Sequence, residues 1–139
     1  MITAIDTNVL IALWDKDDVT NVRAQKALDK AQSKGQLVVC GAVFAELLGG
    51  EDKNIVVVES FLNETDIAID WTIDEKIWRS AATAFQRYVA RRRKQRQPEP
   101  RRLITDFLIG SHSFERGFTL LTFDDRIFKA AFPKLKIVR

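Results

Sequence analysis

The chain has 139 residues, of which 46% are hydrophobic and 29% charged, which is typical of one globular domain. No apolar run approaches the ~20 residues that cross a bilayer, which excludes a membrane protein of the helical type. Cys40 is the only cysteine, so an internal disulfide and a multi-thiolate zinc site are also excluded. We therefore expect a single domain over residues 1–139 in the reducing cytoplasm.

The first half of the chain alternates short apolar runs with segments of helical periodicity. The predicted elements in this half are a strand at 1–5, a helix opening at 6–8, a helix at 20–34, a strand at 37–40, helices at 42–48 and 54–64, and a strand at 67–69. The second helix carries apolar residues at helical spacing, and Gly35 is predicted to end it. The apolar residues are Val22, Ala24, Ala27, Leu28 and Ala31.

In the second half, Thr72 and Glu75 match a capping box at the start of a long helix. Trp78, Ala82 and Phe85 are placed on its buried face by their spacing. The remaining predicted elements are a mobile loop around 95–100, a helix at 102–116, a strand at 118–121, a helix at 124–131 and a strand at 135–138.

This order of elements predicts the fold class. Short apolar strands alternate with helices, and no hairpin signal such as Asn-Gly occurs. We expect an α/β fold with a central, mostly parallel sheet and helices on both faces. No glycine-rich phosphate loop is present, which disfavours a nucleotide cofactor.

Positive charge is concentrated in one segment. The whole chain has a formal net charge of +3, whereas residues 91–102 contain seven basic residues and one acid, a net charge of +6. A concentrated basic segment can bind a polyanion by releasing its counterions. A solvated loop or a contact with an acidic partner is the alternative. The basic residues are Arg91, Arg92, Arg93, Lys94, Arg96, Arg101 and Arg102.

Acidic residues follow two of the predicted strands. Asp6 comes directly after the first strand, and Asp124 follows the strand at 118–121. Ligands of parallel α/β sheets bind beyond the carboxyl ends of the strands, so neighbouring strands would bring both carboxylates into one crevice. Each residue also stands at a helix start, where an aspartate commonly caps backbone N–H groups.

Two further acids occupy predicted helices where apolar residues are expected. Asp106 lies three residues after Leu103 and four before Gly110, on the inward stripe of a helix. We interpret this position as the middle of the helix, where Asp106 cannot act as a cap. Glu46 borders the inward face of its own helix, and solvent exposure or pairing with an arginine is the alternative. Charged side chains are seldom buried unless they are paired or bind a metal.

Four carboxylates in one crevice suit a hard divalent cation such as Mg²⁺ or Mn²⁺, which prefers oxygen ligands. His112 is the only histidine and is expected to have a structural role, which disfavours histidine-based zinc chemistry. A metal ion can activate water and stabilise the leaving oxygen of a phosphodiester without a protein nucleophile. The residues thus predict a metal-dependent phosphodiesterase.

Three blocks of the sequence resemble the PIN-domain family, and in particular the VapC-type toxin ribonucleases of type II toxin–antitoxin systems. They are IDTNVLIAL, VFAELLGG and the long block from RRLITDFLIGSHS to LLTFDDRIF. The resemblance is weak from about residue 50 to 100. It places Asp6, Glu46, Asp106 and Asp124 at the four acids of the family.

The resemblance implies an endoribonuclease with Mg²⁺ or Mn²⁺ held by Asp6, Asp106 and Asp124, with Glu46 as a further ligand. Asp125 is an alternative ligand beside Asp124. Thr7 and Thr122 are expected to orient carboxylates or to act as local caps. The resemblance also implies a homodimer and neutralisation by a small antitoxin protein.

Other functions stay open at this point. A housekeeping PIN nuclease in RNA processing and a non-catalytic RNA-binding PIN module would share these blocks. A phosphoacceptor domain with a carboxylate at the sheet edge is a more distant alternative. It lacks support because no mid-chain strand ends in a lone aspartate and no convincing lysine follows a late strand.

Overall fold

The computed structural model describes residues 1–97, 102 and 104–139, and a five-stranded sheet with the order β3-β2-β1-β4-β5 lies at the centre of this part of the chain. All four ladders between neighbouring strands are parallel. The predicted α/β class with a parallel sheet is therefore confirmed. The strands are β1 (Ile2–Ile5), β2 (Gln36–Cys40), β3 (Ile67–Asp70), β4 (Thr119–Leu121) and β5 (Ile137–Val138).

Seven helices connect the strands within the described residues. They are α1 (Thr7–Trp14), α2 (Asn21–Lys34), α3 (Gly41–Leu47), α4 (Ile55–Glu64), α5 (Glu75–Lys94), α6 (Ile104–Arg116) and α7 (Asp125–Ala131). The chain adds strands on one side of β1 as far as β3 and then crosses to the other side for β4 and β5. Because parallel crossovers are right-handed, this reversal of direction places helices on both faces of the sheet.

The point of reversal lies between β1 and β4, which pair directly with Ile5 opposite Leu121. The Asp6 backbone N–H donates to the Leu121 carbonyl at 2.9 Å, which extends this pairing by one residue. A crevice opens at such a switch point, because the connections on its two sides leave in opposite directions. The acids that follow β1 and β4 thus emerge at the place where α/β proteins bind ligands.

Gly35 ends α2 as predicted, and a close approach of the backbone explains why glycine stands there. Its φ is +154°, and a Cβ atom would lie 1.8 Å from the Met1 carbonyl oxygen. Only a residue without a side chain allows α2 to turn directly into β2 beside the first strand.

The predicted start and buried face of α5 are wrong by one or two residues. Asp74, rather than Thr72, is the N-cap, and its carboxylate accepts from the Ile77 backbone N–H at 3.1 Å. Trp78 is 50% exposed, and Ala82 is exposed as well. The buried stripe is Ile77, Ala81, Ala84 and Tyr88. Spacing alone cannot distinguish two adjacent apolar stripes, and contact with α6 selects this one.

Other predicted positions also shift. Val22 is 60% exposed, because the buried face of α2 is formed by Asn21, Ala24, Leu28 and Ala31. Helix α6 begins at Ile104 rather than at residue 102. Residues 98–100 of the predicted mobile loop lie outside the described part of the chain. No described helix is long and apolar enough to cross a membrane.

Candidate active site

Asp6 is the most buried acid at the carboxyl edge of the sheet, with 6% of its surface exposed. It is the N-cap of α1, and its Oδ1 accepts from the Thr7 backbone N–H at 2.8 Å. Its Oδ2 accepts from the Thr122 hydroxyl at 2.7 Å. The capping role considered from the sequence is therefore present, but it uses only one carboxylate oxygen.

The electrostatic environment of Asp6 opposes its charge. Burial raises the pKa of Asp6 from 3.8 to about 6, and the negative charges of Asp106 and Glu46 add to this rise, whereas the hydrogen bonds from Thr122 and Thr7 lower the pKa. The acids of α3 and α6 thus repel the charge of Asp6, which follows β1. A cation placed among them would remove this repulsion.

Glu46 is oriented by a residue next to Asp6. It lies half-buried in the last turn of α3, and its Oε1 accepts from the Thr7 hydroxyl at 2.7 Å. Thr7 thus binds Asp6 through its backbone and Glu46 through its side chain. A single residue at the start of α1 sets the orientation of two acids.

Asp124 is joined to Asp6 through Thr122. The Thr122 hydroxyl donates to Asp6 and accepts from the Asp124 backbone N–H at 3.0 Å. Asp124 occupies the N-cap position of α7, but its side chain makes no capping hydrogen bond. The capping alternative therefore does not explain this carboxylate.

Asn8 is a positioning residue that the sequence did not single out. Its Oδ1 accepts from the Phe123 backbone N–H at 3.3 Å, and its Nδ2 lies 3.5 Å from the Thr122 hydroxyl. It thereby ties α1 to the loop between β4 and α7. The sequence predicts site roles for Asp6 and Thr7 but places Asn8 only at a helix start, whereas the structure shows that the Asn8 side chain also reaches across the crevice.

Asp106 lies in the first turn of α6 and not in its middle. The predicted mid-helix position is therefore wrong, because α6 begins only two residues earlier, at Ile104, and an acid in the first turn is favoured by the helix dipole. Its charge nevertheless acts on Asp6 and on Arg102. It belongs electrostatically to the same group of acids.

Arg102 supplies a positive charge inside this group. Its Nη2 atom lies 2.5 Å from the Asp124 Oδ2 atom. Although burial would lower the pKa of Arg102, the hydrogen bond and charge of Asp124 and the charge of Asp106 raise it. The guanidinium neutralises part of the acidic group where a metal ion or a substrate phosphate would meet it.

Asp125 is directed to a different partner. Its Oδ2 lies 2.7 Å from the Lys129 ammonium one helical turn further along α7. The hydrogen bond from Lys129 lowers the pKa of Asp125. Asp125 therefore pairs with a lysine of its own helix, whereas the adjacent Asp124 contacts Arg102.

The donor chemistry of the four acids fits a hard divalent cation. All are oxygen ligands, and the buried Asp6 carboxylate has excess negative charge around it, which Mg²⁺ or Mn²⁺ would neutralise. Among the described residues, no three side chains of the ligand types come close enough to enclose a metal ion by themselves.

His112 lies away from these acids. It is buried in α6, and its Nε2 is 2.9 Å from the Asp70 Oδ2 at the end of β3. Burial lowers the pKa of His112 more than the hydrogen bond and charge of Asp70 raise it. Desolvation would raise the pKa of Asp70, but the hydrogen bond from His112 lowers it overall. The pair ties α6 to the edge of the sheet. The expectation that no mid-chain strand ends in an aspartate is therefore wrong, because β3 ends at Asp70, but this carboxylate is paired with His112.

The predicted RNA-binding residues divide between a helix and the α5–α6 connection. Arg91, Arg92, Arg93 and Lys94 form the last turn of α5. Arg96 follows in a left-handed conformation with φ +59°, and Arg101 lies outside the described residues. Arg102, in this connection, contacts Asp124, one of the acids of the site.

Known proteins share both the sequence pattern and the fold of this chain. The family model described as PIN domain matches residues 3–133. A search of curated protein sequences finds no match.

Solved structures with the same fold include three bacterial proteins. A toxin–antitoxin complex from Klebsiella pneumoniae has a TM-score of 0.68 and 18% identity, covering 99% of this chain and 96% of that chain. VapBC-1 from nontypeable Haemophilus influenzae has a TM-score of 0.66 and 20% identity, covering 99% of this chain and 97% of that chain. VapC20 from Mycobacterium tuberculosis, described as a sarcin-ricin loop cleaving toxin, has a TM-score of 0.62 and 17% identity, covering 94% and 95%. Similarity at this level of identity establishes a shared fold.

Proposed function

Because this chain belongs to the PIN domain family, we propose that it is a metal-dependent endoribonuclease that acts as the toxin of a toxin–antitoxin pair. The observation that carries the proposal is the repulsion around Asp6, whose pKa is raised to about 6 by burial and by Asp106 and Glu46. Such a group of acids is costly for the fold and is useful when it binds a cation. The three solved structures add support, because each is described as a toxin, a toxin–antitoxin complex or VapBC.

In this proposal, Asp6, Asp106 and Asp124 hold Mg²⁺ or Mn²⁺, and Glu46 is a further ligand. A divalent ion held by these residues would supply the chemistry by lowering the pKa of a bound water molecule and stabilising charge on the leaving oxygen of a phosphodiester. The Thr122 hydroxyl fixes the position of Asp124 relative to Asp6, because it bonds to the Asp6 carboxylate and to the Asp124 backbone N–H. Asp125 is the less suitable ligand, because Lys129 already pairs with it.

Thr7 and Arg102 have supporting roles in the proposed reaction. Thr7 keeps Glu46 directed at Asp6 through its hydroxyl. Arg102 neutralises Asp124 when substrate is absent and would bind a substrate phosphate once a metal ion pairs with that acid. Its planar guanidinium suits both carboxylate and phosphate.

The test of this function is cleavage of RNA by the purified protein with and without Mg²⁺ or Mn²⁺. We expect cleavage that stops in EDTA and returns when either metal is added. Asp106→Asn should lower the rate about 100-fold or more, since it removes a ligand charge. Asp29→Asn, an exposed acid on α2, is the matched control and should cleave normally. Cleavage that persists in Asp106→Asn would indicate a contaminant or a different site.

The basic end of α5 provides a second prediction. Replacing Arg91, Arg92 and Arg93 with glutamine should weaken RNA binding and flatten its dependence on salt, because fewer counterions are released on binding. Each lost phosphate contact should reduce the slope of log K against log salt by about 0.7 for single strands. Fluorescence anisotropy with a labelled RNA at four or five salt concentrations measures this slope. An unchanged slope would contradict an RNA-binding role for this segment.

The antitoxin is proposed to cover an apolar groove beside the acids. Ile11, Trp14 and Leu47 line this groove together with Glu46 and Lys53, and Ile11 is 51% exposed. A partner seated there would bury apolar surface and reach one of the proposed metal ligands. A short neighbouring gene for a DNA-binding antitoxin would separate a toxin from a housekeeping PIN nuclease.

The other expectations about assembly and location remain predictions. Homodimerisation can be measured by light scattering of the purified chain. A cytoplasmic location is proposed because the substrate would be RNA and because Cys40 is a free, buried thiol. A protein that binds RNA but cleaves none with either metal would instead be a non-catalytic PIN module.

A further inference from the structure

One face of α2 carries only positive charge among its ionisable groups. Arg23, Lys26 and Lys30 are exposed and recur at spacings of three and four residues, which places them in a row along the helix. They line a shallow groove with Val22, Ala27 and Arg139, and this lining includes no acid. Asp29 lines a separate groove of the molecule.

This basic row begins beside the acidic site. The Arg23 guanidinium lies over the Phe123 ring at 4.1 Å. Phe123 directly precedes Asp124, and its backbone N–H is held by Asn8 at 3.3 Å. The stacked pair therefore fixes one end of the row at the crevice, and the lysines continue the row away from it.

We propose that the Arg23–Lys26–Lys30 row is a second phosphate-binding surface, which holds the RNA strand on the side of the acids away from Arg102. The inference rests on the proposed ribonuclease function and adds a site that the sequence did not predict. The row spans about 10 Å along the helix axis, which is long enough to contact successive phosphates of one strand. Proteins commonly bind single-stranded nucleic acid in positively charged grooves that also contain aromatic side chains.

The acids would then lie between two basic surfaces. Arg102 reaches Asp124 from the start of α6, whereas Arg23 reaches Phe123 from α2. Helices α2 and α6 belong to crossovers that run in opposite directions along the sheet, so they lie on opposite faces. A strand held at both ends would cross the acidic crevice, and its scissile phosphate would be placed there without base-specific contacts.

The test compares Lys26→Gln/Lys30→Gln with Lys134→Gln/Lys136→Gln. The second pair removes the same charge from exposed positions just before β5, at the edge of the sheet opposite the acids. Affinity for a fluorescent 20-nucleotide RNA is measured by anisotropy in EDTA over a range of salt concentrations, and cleavage is measured separately with Mn²⁺. An Arg23→Gln variant tests the link to Phe123. Melting temperatures verify that each variant folds.

For the α2 variant we expect affinity to fall about 5- to 10-fold and the salt slope to decrease by about 1.4, since two contacts are lost at about 0.7 each. In cleavage, KM should rise while kcat changes little, and the control pair should match the wild type. Equal affinity and slope for the α2 variant and the wild type would overturn the proposal, even if the protein cleaves RNA. RNA binding that depends on the row without any cleavage would support this surface and refute the ribonuclease.

Discussion

Asp6→Asn is expected to abolish RNA cleavage and to stabilise the metal-free protein at pH 7–8. The native state raises the pKa of Asp6 from 3.8 to about 6, so ionisation of this buried acid costs up to about 3 kcal/mol at neutral pH. Asparagine removes that cost but weakens the hydrogen bond from Thr122, which offsets about 1 kcal/mol. The expected net gain is about 1–2 kcal/mol in the free energy of unfolding.

The sign of the pH dependence follows from the direction of the shift. Because the native state binds the proton of Asp6 more tightly than the unfolded state, this residue favours folding below pH 3.8. That contribution is lost as the pH rises from 3.8 through about 6. The advantage of Asp6→Asn should therefore be largest at pH 7–8 and vanish near pH 4.

Denaturant unfolding in EDTA at pH 4, 6 and 8 measures this effect, with Asp29→Asn as the control for loss of one negative charge. Added Mn²⁺ should stabilise the wild type and leave Asp6→Asn nearly unchanged, since a ligand that binds only the native state raises its stability. An Asp6→Asn protein that is less stable than the wild type at pH 8 would show that the Asp6 carboxylate is favourable in the fold. It would remove the main support for a cation site.

His112→Ala is expected to destabilise the protein by about 2–4 kcal/mol. The imidazole is 1% exposed, bonds Asp70 at 2.9 Å and contacts the Phe118 ring edge-on with centroids 5.6 Å apart. Alanine leaves a cavity and removes a partner of Asp70. His112→Gln is the matched variant, because its amide N–H can still donate to Asp70. It should lower the free energy of unfolding clearly less than His112→Ala does.

The contribution of His112 to the free energy of unfolding should increase with pH, whereas that of Asp6 decreases with pH. Burial lowers the pKa of His112 below 6.5, so the native state favours the neutral ring. Its contribution is full above pH 6.5 and is lost as the pH falls through the lowered value. The difference between wild type and His112→Ala should therefore shrink from pH 8 to pH 5. A difference that grows on acidification would mean that the charged pair with Asp70 is the stabilising form.

Most elements could be predicted from the sequence because their signals are local. Gly35 ends a helix at a close backbone approach, and alternating strands and helices without hairpin turns indicate a parallel sheet. The α5 stripe was misplaced because Trp78 and Ile77 lie on adjacent apolar stripes of one helix. Only contact with α6 decides which stripe is buried.

The four acids of the candidate site could be named from their positions after strands and within resembling blocks. The electrostatic effect of these acids on one another could not be predicted from the sequence, because it depends on their burial and on the distances between them in the fold. Sequence position suggested a mid-helix Asp106, whereas the helix begins at Ile104 and places this acid in its first turn. The direction of the Asp6 pKa shift likewise requires knowing that the carboxyl group is buried and that Asp106 and Glu46 lie close enough to raise its pKa further.

The sequence by itself determined the α/β class, the order of the strands along the chain and the set of acids that follow or border them. Those properties depend on periodicity and on neighbouring residues, which a linear pattern records. The tertiary structure alone decided which side chains meet across the chain: Arg102 with Asp124, His112 with Asp70, and Arg23 with Phe123. Each pair joins residues at least 22 positions apart in the sequence, so packing of the helices against the sheet, and not local preference, brings these charges together.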